Sequence, residues 1–402
     1  MSFFAPILRQ PTLRLIAVAL VLLGVHNGSV YPYQSLIAIE RIGLSKPGFA
    51  LLLVTASVVT VTSSVLFGVL GDQFGHRRRI ALAAAFASTT GIAAMLFAPG
   101  IWALVLCQGL LLPVAASLYG QLFALARLAS TDEGHARDAT LGKVRSAMSV
   151  SFLATLLFLS VVFATGSDVM AVYLTGGFAS LAMSLLLYVR WPKDGATDWE
   201  DQRSGLGLRQ SFVDIGRPYI LIRLGFLGAL STAGNLNMVL ISLVFDASAV
   251  RDTSDVALYI GLVAGFEIPA MLILPRLTRH FSRTSVIAVA ATVFCCHLLA
   301  LPWLSDTPFI WGIAMLGGLG GAAMITVPIL YYQDLMLGRP GTAGAMLSLQ
   351  KLISDMLTAA IFAFGTRIGG FETVAIMGVV VALCGAVGLY LADRHSWFLA
   401  RI

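Results

Sequence analysis

The chain has 402 residues, 58% of them hydrophobic and only 11% charged, against roughly 25% charged in soluble domains. No water-soluble core can hide that much apolar surface, so the composition excludes an ordinary soluble domain, and recurring apolar runs of about 20 residues imply an all-α membrane protein. The net charge of +6 invites a polyanion-binding reading, and the placement of the cations along the chain decides against it.

A helix of about 20 apolar residues crosses a hydrocarbon core of about 30 Å. Twelve such runs are predicted, over 12–37, 47–71, 80–98, 101–126, 141–165, 169–191, 218–245, 256–276, 284–304, 309–333, 342–366 and 370–392. The first is long enough to span and is not followed by a small-residue cleavage site, so no cleaved signal is expected. The polar stretch from Trp191 to Pro218 divides the spans six and six: an N-terminal half over 1–191, a linker over 192–217 and a C-terminal half over 218–402. Cations such as Arg77, Arg78, Arg79, Arg127, Arg190, Arg276, Arg283 and Arg339 fall at one set of alternating loops. The opposite loops hold Arg41, Lys46, Arg251 and Arg367 beside several acids. The positive-inside rule then makes both termini cytoplasmic.

A charged group at the bilayer centre costs at least about 2.5–3.5 kcal/mol on insertion scales, so polar residues inside the spans are candidates for a transport site. Span 1 carries His26, Asn27, Tyr31 and Gln34, the last three on one helical face suited to hydroxyl-rich ligands. His26 is a candidate proton carrier, weighed against a neutral packing histidine. Gln108 and Gln121 in span 4 and Gln333 in span 10 are weaker binding candidates. Arg145 in span 5 competes with a snorkelling role. Asn235 and Asn237 in span 7 offer amides that point in different directions. Arg223, at the start of that span, is expected to reach lipid headgroups, and His297 in span 9 has no obvious partner.

Glu267 sits halfway along span 8 with no basic neighbour within a helical turn. It is the leading candidate both for proton coupling and for binding a polar substrate, against a plain helix-to-helix hydrogen bond. Lys351 and Asp355 in span 11 are four apart and share a face; a self-neutralising ion pair weighs equally with a substrate role for Lys351 and proton coupling for Asp355. Cys107, Cys295, Cys296 and Cys384 lie inside spans without metal spacing and are read as packing residues. The halves look weakly repeated: Phe74, Gly75 and His76 correspond to Phe281, Ser282 and Arg283, and Gln121 and Arg127 to Gln333 and Arg339.

Between spans 2 and 3 runs Gly68-Val69-Leu70-Gly71-Asp72-Gln73-Phe74-Gly75-His76-Arg77-Arg78-Arg79. The glycines permit a tight turn and close backbone contact, and Asp72 suits a neighbouring helix N-terminus. The string resembles the signature loop of the major facilitator superfamily, G-x-L-a-D-r-x-G-r-k, with Gln73 and His76 replacing basic positions. The resemblance implies twelve transmembrane helices in two six-helix pseudo-repeat halves, with Gly68, Asp72, Gly75 and Arg77 as gating residues. Gly120 to Arg127, Gly265 to Met271 and Gln333 to Arg339 are similar to the bacterial sugar efflux transporters of that superfamily. Many proton-coupled members carry an arginine three residues before a Gln-Gly pair in span 4. Val105 stands there instead, before Gln108-Gly109.

The resemblance implies a secondary transporter in a bacterial inner membrane, exporting small sugars, glycosides or related polar solutes by alternating access. No phosphate-binding Gly-x-x-x-x-Gly-Lys-Ser/Thr loop occurs, so an ion gradient or the solute gradient is expected to supply the energy, with proton antiport as the preferred coupling. Multidrug efflux is the alternative, with Phe266, Met271, Phe294 and Met324 as candidate apolar lining, and a non-transporting receptor is the remote one. No nucleophile–base arrangement points to an enzyme. No cofactor, metal or nucleic acid is expected; the expected partners are a sugar-like solute, protons and lipid around a monomer.

Overall fold

The protein is described by a computed structural model covering residues 10–74, 77–129, 134–192, 217–335 and 340–399. These residues form helices joined by short turns, and twelve helices are long and apolar enough to cross a membrane. The molecule is therefore a multi-pass membrane protein. We number them α1 (Pro11–Arg41), α2 (Lys46–Phe74), α3 (Arg77–Phe97), α4 (Ile101–Phe123), α5 (Gly134–Ala164), α6 (Ala171–Arg190), α7 (Pro218–Asp246), α8 (Thr253–His280), α9 (Arg283–Leu304), α10 (Ile310–Leu335), α11 (Pro340–Ile368) and α12 (Gly370–Leu399). α1 tightens to a 3-10 turn at Tyr31–Tyr33, where Pro32 removes a backbone donor. α4 widens to a π-turn over Val105–Leu111.

The chain divides into two units. The first comprises Met1–Gly43 and Val58–Leu206, the second Leu44–Ser57 and Gly207–Ile402. In the first, α1 packs on α5 and α6, and α6 on α3; in the second, α7 packs on α11 and α12, and α12 on α9. The two sets are the same pairing six helices apart. Small residues enforce the match in detail, since helices in lipid approach closely where a side chain is missing. A Cβ on Gly24 of α1 would fall 2.4 Å from the Met148 carbonyl oxygen of α5, and one on Gly228 of α7 would fall 2.5 Å from Ile353 of α11. Gly176 of α6 meets Val30 and Ile92, and Gly378 of α12 meets Leu236 and Leu298. These glycine seats register the halves at a separation that the weaker loop matches in the sequence only approximate.

The first unit's core gathers Ile16 and Leu20 of α1, Ala81 and Ala84 of α3, Leu122 of α4 and Met183 and Leu187 of α6. In the second unit, Arg223 corrects the expectation from sequence. Instead of reaching headgroups it is 7% exposed and its Nε donates to Asp393 Oδ1 of α12 at 2.8 Å. Its Nη1 and Nη2 donate to the carbonyls of Tyr219 and Ala392. Tyr331 of α10 donates to the same Asp393 oxygen at 2.9 Å. The clamp thus joins α7, α10 and α12 at one end, and Arg283 joins α9 to α10 at the same end through Asp334 at 2.6 Å. Removing one member of a buried ion pair costs roughly 3–5 kcal/mol, and Asp393 is 27% exposed. R223M is therefore expected to lose about 2 kcal/mol of stability, partly restored by adding D393N, as read by thermal unfolding in detergent.

At the opposite end Asp252 caps α8, accepting from the backbone N–H of Ser254 at 2.8 Å and of Asp255 at 3.2 Å. Partial burial disfavours its charge, but the hydrogen bonds from Ser254 and Asp255 outweigh it and hold the carboxyl below its ordinary range. Such a group stabilises the fold above its unfolded value and loses that contribution as pH falls through the lowered folded value. D252A is expected to cost about 1 kcal/mol near neutrality, with the difference from wild type closing in acid, as followed by unfolding midpoints against pH. Cys296 and Cys384 are exposed on the helix surfaces, whereas Cys107 and Cys295 are buried, so only the latter two pack in the interior.

Candidate functional site

A cavity of about 330 Å³ opens inside the second unit, walled by α7, α8, α9, α10 and α11. Its shape follows from the run Gly317-Gly318-Leu319-Gly320-Gly321 in α10, which seats that helix in the groove between α8 and α9. A Cβ on Gly318 would fall 2.6 Å from the Val263 carbonyl oxygen, and one on Gly320 would fall 2.7 Å from that of Ala290. Gly321 faces the carboxyl of Glu267, whose Oε1 lies 2.7 Å from where a Cβ would stand. α10 thus presents bare backbone to the acid and leaves its side chain room.

Asn235, Asn237, Glu267 and Lys351, four residues singled out in the sequence from three different helices, line this one cavity. Lys351 Nζ donates to Asp355 Oδ2 at 2.7 Å, with Asp355 only 14% exposed. Asn235 Nδ2 donates to Asp355 Oδ1 at 2.6 Å and to Ser354 Oγ at 2.8 Å. Both oxygens of Asp355 are therefore occupied and its charge is matched by Lys351. Glu267 differs: among the described residues nothing donates to its carboxyl or pairs with it. It shares the cavity lining with the apolar Val263, Phe294 and Met324, and a carboxylate with no donor there is left without hydrogen-bond compensation.

Ser231, Ser354 and Gln350 complete the polar lining, and Gln350 Nε2 donates to Ser231 Oγ at 2.6 Å. The two serines carry no signal in the sequence, because serine in a span more often bonds its own helix. Gln350 was visible only as the neighbour of Lys351. Gln350 Oε1 is buried with no partner among the described residues. His297 is not partnerless, as its surroundings in the sequence suggested. It is fully buried behind Asn237, with Nε2 3.0 Å from Asn237 Oδ1.

The candidates in the first unit are not drawn into one polar cluster. His26 is buried, with Nδ1 3.4 Å from the Gly176 carbonyl oxygen. Gln108 donates to the Tyr173 hydroxyl at 3.0 Å, and Gln121 is buried, its Oε1 with no partner among the described residues. Asn27 and Gln34 are half-buried and Tyr31 is exposed. Arg77 of the hinge is half-buried. Gly75 lies outside the described residues, and so do the side-chain surroundings of Gly68, Asp72, Arg145 and Gln333. No group of three or more metal-ligating side chains is found among the described residues.

A family model described as Major Facilitator Superfamily matches residues 15–363. A curated protein of Deinococcus radiodurans, named "Putative sugar efflux transporter", is 22% identical over 96% of this chain and 97% of its own length. Among solved structures, the nucleoside transporter NupG superposes with a TM-score of 0.76 at 12% identity, covering 96% of this chain and 98% of that one. The peptide transporter POT in complex with sulfate does so with a TM-score of 0.76 at 12% identity, covering 96% and 95%. At such identities the superpositions show the fold alone, and with the family match they establish what the helix pairing indicated. The chain is a member of the major facilitator superfamily.

Proposed function

We propose that the protein exports small sugars, glycosides or related polar solutes across a bacterial inner membrane by alternating access, driven by proton antiport. The observation that carries this reading is the cavity of the second unit, where an unpartnered carboxyl, two amides and a neutralised lysine converge inside a membrane-spanning bundle. Polar groups at membrane depth are expensive and mark solute or ion pathways. Asn235, Asn237, Glu267 and Lys351 bind the solute in this reading, and the name of the Deinococcus relative, "Putative sugar efflux transporter", supports a sugar as its class.

Glu267 is the leading proton carrier, because it alone among the candidate acids is free to exchange a partner. Asp355 is second, since it is held by Lys351 and Asn235, and His26 is third, facing a backbone carbonyl. Gly68, Asp72, Gly75 and Arg77 gate the cycle. Both termini face the cytoplasm, and the protein acts as a monomer that catalyses no bond-making step. Counterflow of a panel of labelled mono- and disaccharides in proteoliposomes tests the reading: exchange of one or more is expected, and exchange of none sinks it.

Met238, Phe294, Met324 and Ile325 in the same lining favour a second reading, efflux of amphipathic drugs. Lipophilic cations that displace no bound sugar, and are not themselves exchanged, would exclude it.

A further inference from the structure

A buried tyrosine has to place its hydroxyl proton. Tyr259 of α8 is fully buried, and its hydroxyl oxygen lies 3.2 Å from Nδ1 of His297. That nitrogen also lies 3.0 Å from the Ile313 carbonyl oxygen, while Nε2 lies 3.0 Å from Oδ1 of Asn237. Two tautomers of the ring compete for these partners.

With the proton on Nδ1, the ring donates to Ile313. The Tyr259 hydroxyl then has no acceptor among the described residues, and the Nε2 lone pair faces the Asn237 oxygen. An orphaned buried donor costs about 1–3 kcal/mol. With the proton on Nε2, Tyr259 donates to Nδ1 and Nε2–H donates to Asn237 Oδ1. What is given up is one bond to a carbonyl that already accepts within α10, a net loss of about 0.5–1.5 kcal/mol. Each tautomer leaves one ring lone pair facing an oxygen, Asn237 Oδ1 in the first and the Ile313 carbonyl at 3.0 Å in the second, so the balance turns on the Tyr259 proton, which only the second satisfies.

We infer that Tyr259 and His297 are positioning residues that hold Asn237 as a hydrogen-bond donor to the solute. The imidazole takes Oδ1 from behind. The amide nitrogen, which bonds no other group among the described residues, is then turned to the cavity that Asn237 lines. Packing keeps the imidazole in place: Tyr259 stacks on it at 5.8 Å with the planes 15° apart, and Phe294 lies at 5.3 Å. Gly317 completes the seat, since a Cβ there would fall 2.8 Å from the ring. The cavity therefore sets a fixed donor on Asn237 and an unmet acceptor on Glu267. A hydroxyl both donates and accepts, so a polyhydroxylated solute satisfies both. This choice of solute rests on the cavity being the transport site, whereas the tautomer and the amide orientation do not.

The tautomer is read by nitrogen-15 NMR of histidine-labelled full-length protein in detergent, with H297Q assigning the signal. The Nε2–H form is expected in the wild type, moving toward Nδ1–H in Y259F; a wild-type ring protonated on Nδ1 overturns the inference. In counterflow of labelled glucose, Y259F is expected to raise the half-saturation concentration about tenfold with the maximal rate within about twofold, the pattern of lost uniform binding. Y259F should add nothing in an N237A background, because a residue acting through Asn237 has nothing left to orient. N237D keeps an acceptor for Nε2–H but loses the donor, and is expected to weaken glucose binding as much as N237A does. Additive losses from Y259F and N237A, or wild-type binding by N237D, overturn the positioning role. If no sugar is exchanged by the wild type, the transport reading fails and the NMR result still decides the orientation.

Discussion

Glutamine at position 267 is expected to abolish proton-driven solute accumulation while weakening exchange only modestly, since the amide oxygen still accepts from the solute. In proteoliposomes with an imposed pH gradient, E267Q should fall by about tenfold or more, whereas counterflow at equal pH on both sides stays within about threefold of wild type. The amide keeps the shape and one acceptor of the acid but binds no exchangeable proton. The difference between the two assays isolates coupling from binding. The expectation stands on the contrast between the two cavity acids. Asp355 has both oxygens engaged, by Lys351 and Asn235, while Glu267 faces the bare backbone of Gly321 with no donor among the described residues. D355N should instead lower binding and stability together, because it leaves the Lys351 charge uncompensated at the cavity wall. If E267Q accumulates solute against a pH gradient as well as wild type does, Glu267 is not the carrier.

Alanine at position 318 is expected to be among the most damaging single-methyl changes in the second unit. The added carbon would sit 2.4 Å from Phe266 Cβ, 2.6 Å from the Val263 carbonyl oxygen and 3.0 Å from the Glu267 backbone nitrogen. Two of those three are backbone atoms, so no rotamer change relieves the clash and α8 has to move away from α10. Overpacking of this kind costs typically about 1–3 kcal/mol and occasionally more, and we expect G318A to reach the upper end. The same displacement carries Glu267 off Gly321, so binding should weaken even where the protein remains folded. Alanine at Gly312, where no atom lies within 4 Å of the added carbon, serves as the control and should leave thermal unfolding unchanged. Equal unfolding midpoints for G318A and wild type would show that α8 and α10 separate without cost and that their close contact does not hold the unit together.

The span count and their order were legible because each membrane crossing must satisfy its own backbone hydrogen bonds within one apolar helix of minimum length. The pairing Lys351–Asp355 was legible for a similar reason, since residues four apart on one helix meet whatever surrounds them. Glu267 stood out because an acid inside an apolar run needs a reason to be there. Arg223 did not read correctly. Near the start of its span it looked free to snorkel, and its burial is explained by partners that include Asp393, 170 residues away. His297 was likewise unreadable, since its partners Asn237 and Tyr259 come from two other helices at separations of 60 and 38 residues.

The sequence by itself determined that this chain crosses a membrane twelve times and which side chains inside the spans are polar enough to demand an account, and it carried a weak sign of a six-helix repeat. Those follow from composition, hydrophobic run length and a loop motif, all local along the chain. Only the tertiary structure decided that Asn235, Asn237, Glu267 and Lys351 share one cavity, that Asp355 is tied down while Glu267 is not, and that Asn237 has a histidine behind it. Hydropathy carries no information on which face of one helix meets which face of another. That choice is made by glycines such as Gly318, Gly320 and Gly321, whose missing side chains matter only when a neighbouring backbone arrives to fill the space.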